Sequence, residues 1–310
     1  MATTLHNNLA KLFADANAAR EHIEQLRWAN GVVCPHCGVK DNAYKLTAKE
    51  GSKTPVRKGV WKCGACRKQF TVTVGTIFED SRISLNIWLH AISLMCSSKK
   101  GISAHQLHRI TGITYKSAWF MCQRIRYAMT QSPMIEKLTG TIEVDETYVG
   151  GKNKGGKQGH GFDNKTPVVL VLTRDGENRA TRMDKVTSAN LKDYIRKNVD
   201  PSANVNTDGS KLYKGLDKEY ASHETVDHKK GEYVRNGAHI NNAESWFALL
   251  KRGMVGTFHH VSAKHLDRYA NDFAFRWSHR KTTDYERTIA LIRIVGGKRL
   301  MYKHLIQKQE

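Results

Sequence analysis

Two pairs of cysteines separated by 25 residues constrain the fold more than any other feature of the sequence. Cys34-Pro-His-Cys37 and Cys63-Gly-Ala-Cys66 each place two thiols on one tight turn. Two such turns from facing hairpins bring together four thiolates, which close a tetrahedral Zn²⁺ site with no open position. We therefore predict a zinc ribbon whose metal supports folding and takes no part in chemistry. The predicted zinc ligands are Cys34, Cys37, Cys63 and Cys66.

The other candidate ligands near these pairs do not change this interpretation. A single C-x-x-C would also fit a redox motif, but two pairs in this order favour a metal site. His36 lies inside the first pair, yet four cysteines already complete the ligand set. Cys96 and Cys122 stand alone in apolar helical stretches, where we expect them to be core residues.

The chain is strongly basic, and its basic residues are unevenly placed. Lysine and arginine number 50 against 29 acidic residues, which gives a formal net charge of +21. No aspartate or glutamate occurs from Ser81 to Ile135, where the basic residues are Arg82, Lys99, Lys100, Arg109, Lys116, Arg124 and Arg126. When basic side chains contact the phosphates of a nucleic acid, condensed counterions are released and binding is driven forward. The basic, acid-free stretch therefore favours nucleic acid as the partner over three alternatives: a solvated basic face, a ribosomal role and binding to an anionic membrane.

The sequence contains no pattern that predicts a membrane or secretory role. No apolar run approaches the roughly 20 residues of a membrane-spanning helix. Residues 1–30 carry scattered charges and lack the apolar block and cleavage site of a signal peptide. We therefore expect a soluble cytoplasmic protein.

The acid-free stretch also contains two helical patterns joined by a glycine turn. Ser103 is predicted to cap a short helix that ends near Ile110, and a three-residue turn with Gly112 follows. Thr114 is predicted to cap a longer helix that runs to about Met129. This order matches a helix-turn-helix, in which the second helix enters the major groove by its N-terminal end. A plain helical linker is the alternative. The predicted base-reading residues are Thr114, Tyr115, Lys116 and Ser117, and the predicted phosphate contacts are Arg124 and Arg126.

Beyond Pro133 the sequence pattern changes from helices to strands. The predicted elements are strands at 141–149, 167–173 and 177–183, a helix at 188–199 capped by Ser188, a strand at 203–207 and a helix at 242–254. Three strands, a helix, a fourth strand and later helices form the order expected of an RNase H-like α/β fold. That fold has a mixed sheet with flanking helices.

Three acidic residues fall on separate elements of this region. Asp145 lies in the first strand, Asp208 ends the fourth, and Glu244 opens the late helix. Two-metal phosphoryl transfer needs carboxylates that converge on two Mg²⁺ ions about 3.5–4 Å apart. Each acid alone also fits an edge residue, a turn former or a partner of the helix dipole. Lys251 follows Glu244 by two helical turns on the same face, where we expect it to contact DNA beside the metals.

Three longer stretches carry a family resemblance: VDETYVGGK (144–152), TDGSKLYKGL (207–216) and NNAESWFALLKRGMVGTFHHVSAKHLDRYANDFAFRW (241–277). From about residue 20 to residue 281, the chain resembles bacterial insertion-sequence transposases with an N-terminal zinc ribbon and an RNase H-like DDE catalytic domain. The resemblance implies metal-dependent DNA cleavage and strand transfer. It also implies that Asp145, Asp208 and Glu244 bind Mg²⁺ or Mn²⁺, with Lys251 as the basic catalytic residue.

Some relatives use Asn or His as the third metal ligand. His239, Asn241 and Asn242 lie just upstream of Glu244 and therefore remain alternatives to it. The Gly/Lys-rich insert at 150–161 also resembles the family. We expect it to be a flexible basic loop that orders when DNA binds.

These features predict four regions. They are an N-terminal helix and zinc ribbon (1–78), a helix-turn-helix segment (79–135), a catalytic domain (136–280) and a basic C-terminal extension (281–310). The resemblance implies that the partners are element ends and target DNA, bound by a homo-oligomer at the bacterial nucleoid. Two other functions stay open: a DNA-binding regulator without catalysis, and a two-metal nuclease that only hydrolyses.

Overall fold

The computed structural model describes residues 10–48, 51, 55–130, 136–150, 165–227, 230–235 and 237–307. The chain divides into two compact units. The first contains residues 1–98, 104–128 and 283–310, and the second contains residues 99–103 and 129–282. The C-terminal segment therefore belongs to the same unit as the cysteine pairs. In the described part of the chain, no helix combines the length and the apolar character that crossing a membrane requires.

The cysteine-rich part of the first unit is a small antiparallel sheet preceded by a helix. These elements are α1 (Ala16–Arg27), β1 (Ala43–Lys45), β2 (Trp61–Cys63) and β3 (Gln69–Phe70), and the strands lie in the order β1-β2-β3. Trp28 packs edge-on against Trp61 and Phe70, with ring centroids 5.5 and 6.0 Å apart. The buried residues Cys34 and Cys63 belong to the same packed cluster as these rings. The aromatic residues and the cysteines thus form one small core.

Three helices follow in the first unit: α2 (Leu85–Ser97), α3 (Ala104–Thr111) and α4 (Tyr115–Ala128). As predicted, a short turn joins α3 to α4, with Gly112 at φ 72°, a left-handed conformation that glycine adopts without strain. The Thr114 hydroxyl accepts a hydrogen bond from the Ser117 amide at 3.3 Å, which caps α4. Cys96 and Cys122 are buried, which confirms their assignment to the core.

The basic C-terminal segment is folded into the first unit. It contains α8 (Asp284–Arg293), which begins with a capping box between Thr283 and Glu286, and the short helix α9 (Tyr302–Ile306). The Gly297 amide donates to the Gly75 carbonyl at 2.8 Å, and the Lys298 ammonium donates to the Ala128 carbonyl at 2.6 Å. The segment therefore fastens the chain that leaves the ribbon and the end of α4.

A five-stranded mixed sheet forms the centre of the second unit. Its elements are β4 (Thr141–Gly150), β5 (Lys165–Thr173), β6 (Asn178–Arg182), α5 (Ser188–Asn198), β7 (Asn204–Asp208), β8 (Ser222–Val226), α6 (Asn241–Gly253) and α7 (Ala263–Ser278). The strand order is β6-β5-β4-β7-β8. The β4–β5 and β5–β6 pairs are antiparallel, and the β4–β7 and β7–β8 pairs are parallel. The predicted order of three strands, a helix and a fourth strand is confirmed.

Helices cover both faces of this sheet. Val168, Leu170 and Leu172 of β5 pack against Trp246 of α6 and Phe273 of α7. The alternate residues of β5 pack on the opposite face against α5. Burial on both faces explains why β5 is apolar at every position from 168 to 172 instead of alternating.

The start of α5 differs in one detail from the prediction. Ser188 was expected to cap this helix, but it is the first helical residue. Thr187 is the cap, because its hydroxyl accepts from the Asn190 amide at 3.3 Å and the Asn190 side chain accepts from the Thr187 amide at 2.8 Å. This reciprocal pair satisfies two amides that the helix itself cannot bond.

Candidate active site and metal sites

The pairing of β4 with β7 places Asp145 beside Asp208. The register joins Ile142 to Val205 and Glu143 to Asn206. Two residues further along both strands lie Asp145 and Asp208. Since residues two apart in a strand share a face, both aspartates project from the face that also carries Glu143. This is the face covered by α6 and α7.

Glu244 lies in the first turn of α6, near enough to Asp145 for its charge to act on that carboxyl. It is exposed, whereas Ala243 before it is buried against the sheet. Burial raises the pKa of Asp145 to about 8, and the nearby charges of Glu146, Asp208 and Glu244 add to this rise. The amide of Glu146 opposes it by donating to Asp145 Oδ1 at 2.8 Å. The carboxylates from β4, β7 and α6 thus lie close enough to interact electrostatically.

Glu146 is an acid of this site that sequence reasoning did not single out. Its side chain lies on the opposite face of β4 from Asp145 and accepts a hydrogen bond from the buried hydroxyl of Tyr213. Burial raises the pKa of Glu146, and the charge of Asp208 adds to the rise, while the tyrosine bond opposes it. Its place next to Asp145 in the sequence was the only signal available.

Glu143 is a second such acid, and its side chain is fully buried. Oε2 accepts from the amides of Asn242 and Ala243 at 2.9 and 3.0 Å, and Oε1 accepts from the Asn242 side chain at 2.8 Å. His239 Nδ1 lies 3.3 Å from Oε1, and the Arg174 guanidinium lies 3.8 Å from the same atom. Glu143 therefore binds the first turn of α6.

These contacts bear on the alternatives to Glu244 as the third ligand. The Asn242 side chain donates to Glu143, and His239 Nδ1 lies 3.3 Å from the same carboxylate. Asn241 is exposed at the start of α6. Lys251 is exposed on the same helix, two turns after Glu244. Its position on the helix agrees with the predicted spacing.

The four cysteines of the first unit converge on one point. The Cys34 and Cys66 sulfurs are 3.7 Å apart, as are those of Cys37 and Cys63, and all four lie within 4.8 Å of one another. Zn–S bonds of about 2.3 Å in a tetrahedron place sulfurs about 3.8 Å apart, so the spacing fits zinc. The Cys66 amide donates to Cys63 Sγ at 3.5 Å, which helps to lower the pKa of Cys63 to about 7.

Comparisons with known proteins identify the family of the chain. A family model described as the ISXO2-like transposase domain matches residues 137–278, and one described as the transposase zinc-ribbon domain matches residues 14–69. The chain belongs to the insertion-sequence transposases that carry an N-terminal zinc ribbon. A protein of Halobacterium salinarum, described as an uncharacterized protein in transposable element ISH50, is similar to it. The two are 28% identical over 283 residues, which cover 86% of this chain and 92% of that relative.

The predicted base-reading residues of the transposase lie at the exposed start of α4. Thr114, Tyr115 and Lys116 are exposed, and Ser117 is half-buried. The Tyr115 ring stacks on His105 of α3 with centroids 4.2 Å apart. The Lys116 ammonium lies 4.9 Å from the centroid of the Tyr302 ring. The C-terminal segment thus reaches the end of the helix that we expected to contact bases.

Arg124 and Arg126 of the transposase require a correction, because both are buried, at 4% and 2% exposure. Arg124 donates to the Glu79 carbonyl and lies over the rings of Trp88 and Phe120, at 5.5 and 5.2 Å from their centroids. Burial lowers the pKa of Arg124 to about 10. The expectation that these two arginines contact phosphate is therefore wrong, because both belong to the core of the first unit.

The predicted flexible loop at 150–161 lies outside the described residues after Gly150.

Proposed function

We propose that the chain is a DNA transposase that cleaves DNA at the ends of an insertion sequence and joins those ends to target DNA. Asp145, Asp208 and Glu244 hold two Mg²⁺ or Mn²⁺ ions in this proposal. The observation that supports it is the convergence of three carboxylates from β4, β7 and α6 on one face of the sheet. Burial and, to a lesser degree, the charges of the neighbouring acids raise the pKa of Asp145 to about 8, and divalent cations would offset the negative charge gathered there.

The chemistry of the donor set fits such ions. Carboxylate oxygens are the hard ligands that Mg²⁺ prefers, and one or two per ion are enough. When bound, the pair of ions activates the attacking oxygen and stabilises the leaving oxygen. The protein's own part is to hold the acids at fixed separations on rigid strands. We place Lys251 on the DNA backbone, where its ammonium neutralises a phosphate beside the acids.

The ribbon has a separate, structural role in this proposal. The sulfur spacing and the zinc-ribbon match support one Zn²⁺ held by Cys34, Cys37, Cys63 and Cys66. Four protein ligands leave no coordination position for water or substrate. The metal therefore stabilises the fold of the first unit and does not act on DNA.

Recognition of the element ends is the proposed role of the first unit. The start of α4 carries exposed side chains that can reach base edges, namely Thr114, Tyr115 and Lys116. The second unit, which carries the three acids, contacts the DNA backbone and is nearly indifferent to the DNA sequence. We further propose that the protein assembles as a homo-oligomer on DNA in the cytoplasm, at the nucleoid.

A cleavage and joining assay on the DNA that flanks the protein's own gene tests this function. The wild type should cut the element end and transfer the strand in Mg²⁺ or Mn²⁺. Asp208→Asn should do neither, and Glu219→Gln is the matched control, because Glu219 pairs with Arg196 at the surface of the same unit. Specific binding without cleavage would indicate a regulator. Cleavage without joining would indicate a nuclease.

A further inference from the structure

The first turn of α6 lacks a local cap. The first amides of a helix have no acceptor within the helix itself. Ile240 occupies the capping position and has no side chain that can accept a hydrogen bond. The amides of Asn242 and Ala243 are instead bound by the carboxylate of Glu143, which lies 99 residues earlier than Asn242 in the chain. The helix that carries Glu244 is therefore capped by the strand that carries Asp145.

The geometry points to Glu143 as a positioning residue that sets the distance between Glu244 and Asp145. Glu143 and Asp145 are two residues apart on one face of β4, a separation of about 7 Å that the extended backbone keeps constant. Glu244 directly follows Ala243, whose amide Glu143 holds at 3.0 Å. A rigid connection thus runs from one acid through Glu143 to the other. This inference rests on the proposed function, because it concerns the spacing of the same carboxylates.

The hydrogen bonds and charges around Glu143 explain why this buried acid positions α6 and does not itself bind a cation. Both carboxylate oxygens are occupied, Oε2 by two backbone amides and Oε1 by the Asn242 side chain. The positive end of the α6 dipole and the Arg174 guanidinium at 3.8 Å compensate the buried negative charge. To bind a metal, Glu143 would have to release the helix and leave its amides unpaired.

The test compares Glu143→Gln with Thr187→Ala in the full-length protein. Glutamine keeps the volume and one acceptor oxygen but loses the charge and the second acceptor. Thr187→Ala removes the capping box of α5, a helix of the same unit that carries none of the three acids, and therefore matches the loss of a helix cap alone. A milder variant, Asn242→Ala, removes only the side-chain bond to Oε1. It keeps the test decisive if Glu143→Gln does not fold.

Mn²⁺ binding, measured by electron paramagnetic resonance, is the main readout. Loss of a residue that orients metal ligands typically weakens metal binding about 10–100-fold. We expect a loss in that range for Glu143→Gln and a smaller loss for Asn242→Ala. Thr187→Ala should bind Mn²⁺ as the wild type does. Hydrogen exchange at the amides of residues 242 and 243 should accelerate only in the Glu143 variant.

The outcomes separate this inference from the proposed function. If the wild type binds Mn²⁺ and the Glu143→Gln protein binds it equally well, Glu143 is not a positioning residue, and the metal site stands without it. If Thr187→Ala loses as much Mn²⁺ affinity as Glu143→Gln does, the loss reflects a general decrease in stability and not the positioning of Glu244. That result would overturn the inference. If the wild type neither binds Mn²⁺ nor cleaves DNA, the proposed function and this inference both fail.

Discussion

Asp145 and Asp208 occupy equivalent positions on two neighbouring parallel strands, two residues beyond the pair formed by Glu143 and Asn206. The strand register therefore brings together two acids that are 63 residues apart in the sequence (208 minus 145). No loop has to close to assemble this part of the site. The hydrogen bonds of the sheet hold the backbone at both acids. Replacing either side chain should therefore change the charge of the site and leave the strands in place.

Asp145→Asn should abolish cleavage and also stabilise the metal-free protein. Burial raises the pKa of Asp145 from 3.8 to about 8. Ionisation of this group therefore opposes folding at any pH above 3.8, and the cost is complete above about pH 8. Asparagine carries no charge, so its advantage in melting temperature should grow between about pH 4 and pH 8. One kcal/mol corresponds to about 2–4 °C in a folding unit of roughly 150–250 residues, the size class of the second unit.

Thermal melts in a chelator, across that pH range, measure this effect. Asp193→Asn is a suitable control, because Asp193 is an exposed acid of the same unit in an ion pair with Lys197. DNA binding by Asp145→Asn should be unchanged or tighter, since a negative charge facing phosphate is removed. A melting temperature for Asp145→Asn below that of the wild type at pH 8 would contradict the burial argument.

Glu244→Gln should abolish cleavage, whereas Asn241→Ala should leave it nearly unchanged. Both residues are exposed in the first turn of α6, but the charge of Glu244 is the one that contributes to the raised pKa of Asp145. Single-turnover cleavage in Mg²⁺ and in Mn²⁺ compares the two variants. The opposite result, a normal rate for Glu244→Gln and none for Asn241→Ala, would make Asn241 the third ligand.

The order of elements could be predicted because each signal was local. The cysteine pairs, the apolar run of β5 and the helical spacing of α6 are all visible within short windows. The contact between Glu143 and the start of α6 is different, because it joins residues 99 apart. Periodicity shows that Glu143 shares a face with Asp145, but not which helix covers that face. Strand β8 was missed because its sequence, SHETV, is short and polar.

The burial of Arg124 shows the same limitation for charged residues. An arginine at a helical position predicts exposure on average, yet Trp88 and Phe120 provide aromatic faces and Glu79 provides a carbonyl. Two of these three partners lie on other parts of the first unit, so no local pattern identified them. The absence of acids from 81 to 135 was thus a sound indicator of a basic region, but not of which cations face solvent.

Arg124→Ala should consequently destabilise the first unit by about 1–3 kcal/mol. The salt dependence of DNA binding, which reports the number of counterions released, should be the same for Arg124→Ala as for the wild type. Arg109→Ala is the matched control, because Arg109 is exposed on α3. Denaturant unfolding and the salt dependence of DNA binding separate the two roles. If Arg124→Ala keeps wild-type stability but lowers the salt slope by about one unit, Arg124 contacts phosphate after all.

Cys63→Ser should release one Zn²⁺ per chain and unfold the ribbon. Structural zinc binding is worth roughly 10–16 kcal/mol of apparent free energy in small fingers, far more than the loss of one buried side chain. DNA binding should weaken, while the second unit stays folded. Elemental analysis gives the zinc content, and Cys96→Ala is the control, because Cys96 is buried outside the ribbon. Wild-type protein purified without chelator and free of zinc would contradict the assignment.

Lys116 and Tyr302 should together determine the preference for the element end. If Lys116 reads a base, Lys116→Ala should cost about 1–3 kcal/mol on the cognate end and little on scrambled duplex. Tyr302→Leu should cause a smaller loss of discrimination, because the ring that lies 4.9 Å from the ammonium no longer orients it. A cation–π contact of this kind is worth about 0.5–1 kcal/mol. Tyr302→Phe should retain full discrimination, since the ring remains.

The measurement is binding of each variant to both duplexes across a salt series. Lys303→Ala is the matched control, because Lys303 is an exposed lysine next to Tyr302 on α9. Its loss should weaken binding to both duplexes equally, or not at all. Should Lys116→Ala discriminate between the duplexes as well as the wild type does, α4 is not the reading helix. End recognition would then have to come from another surface of the first unit, and the ribbon, which carries the exposed side chains of His36 and Tyr44, becomes the candidate.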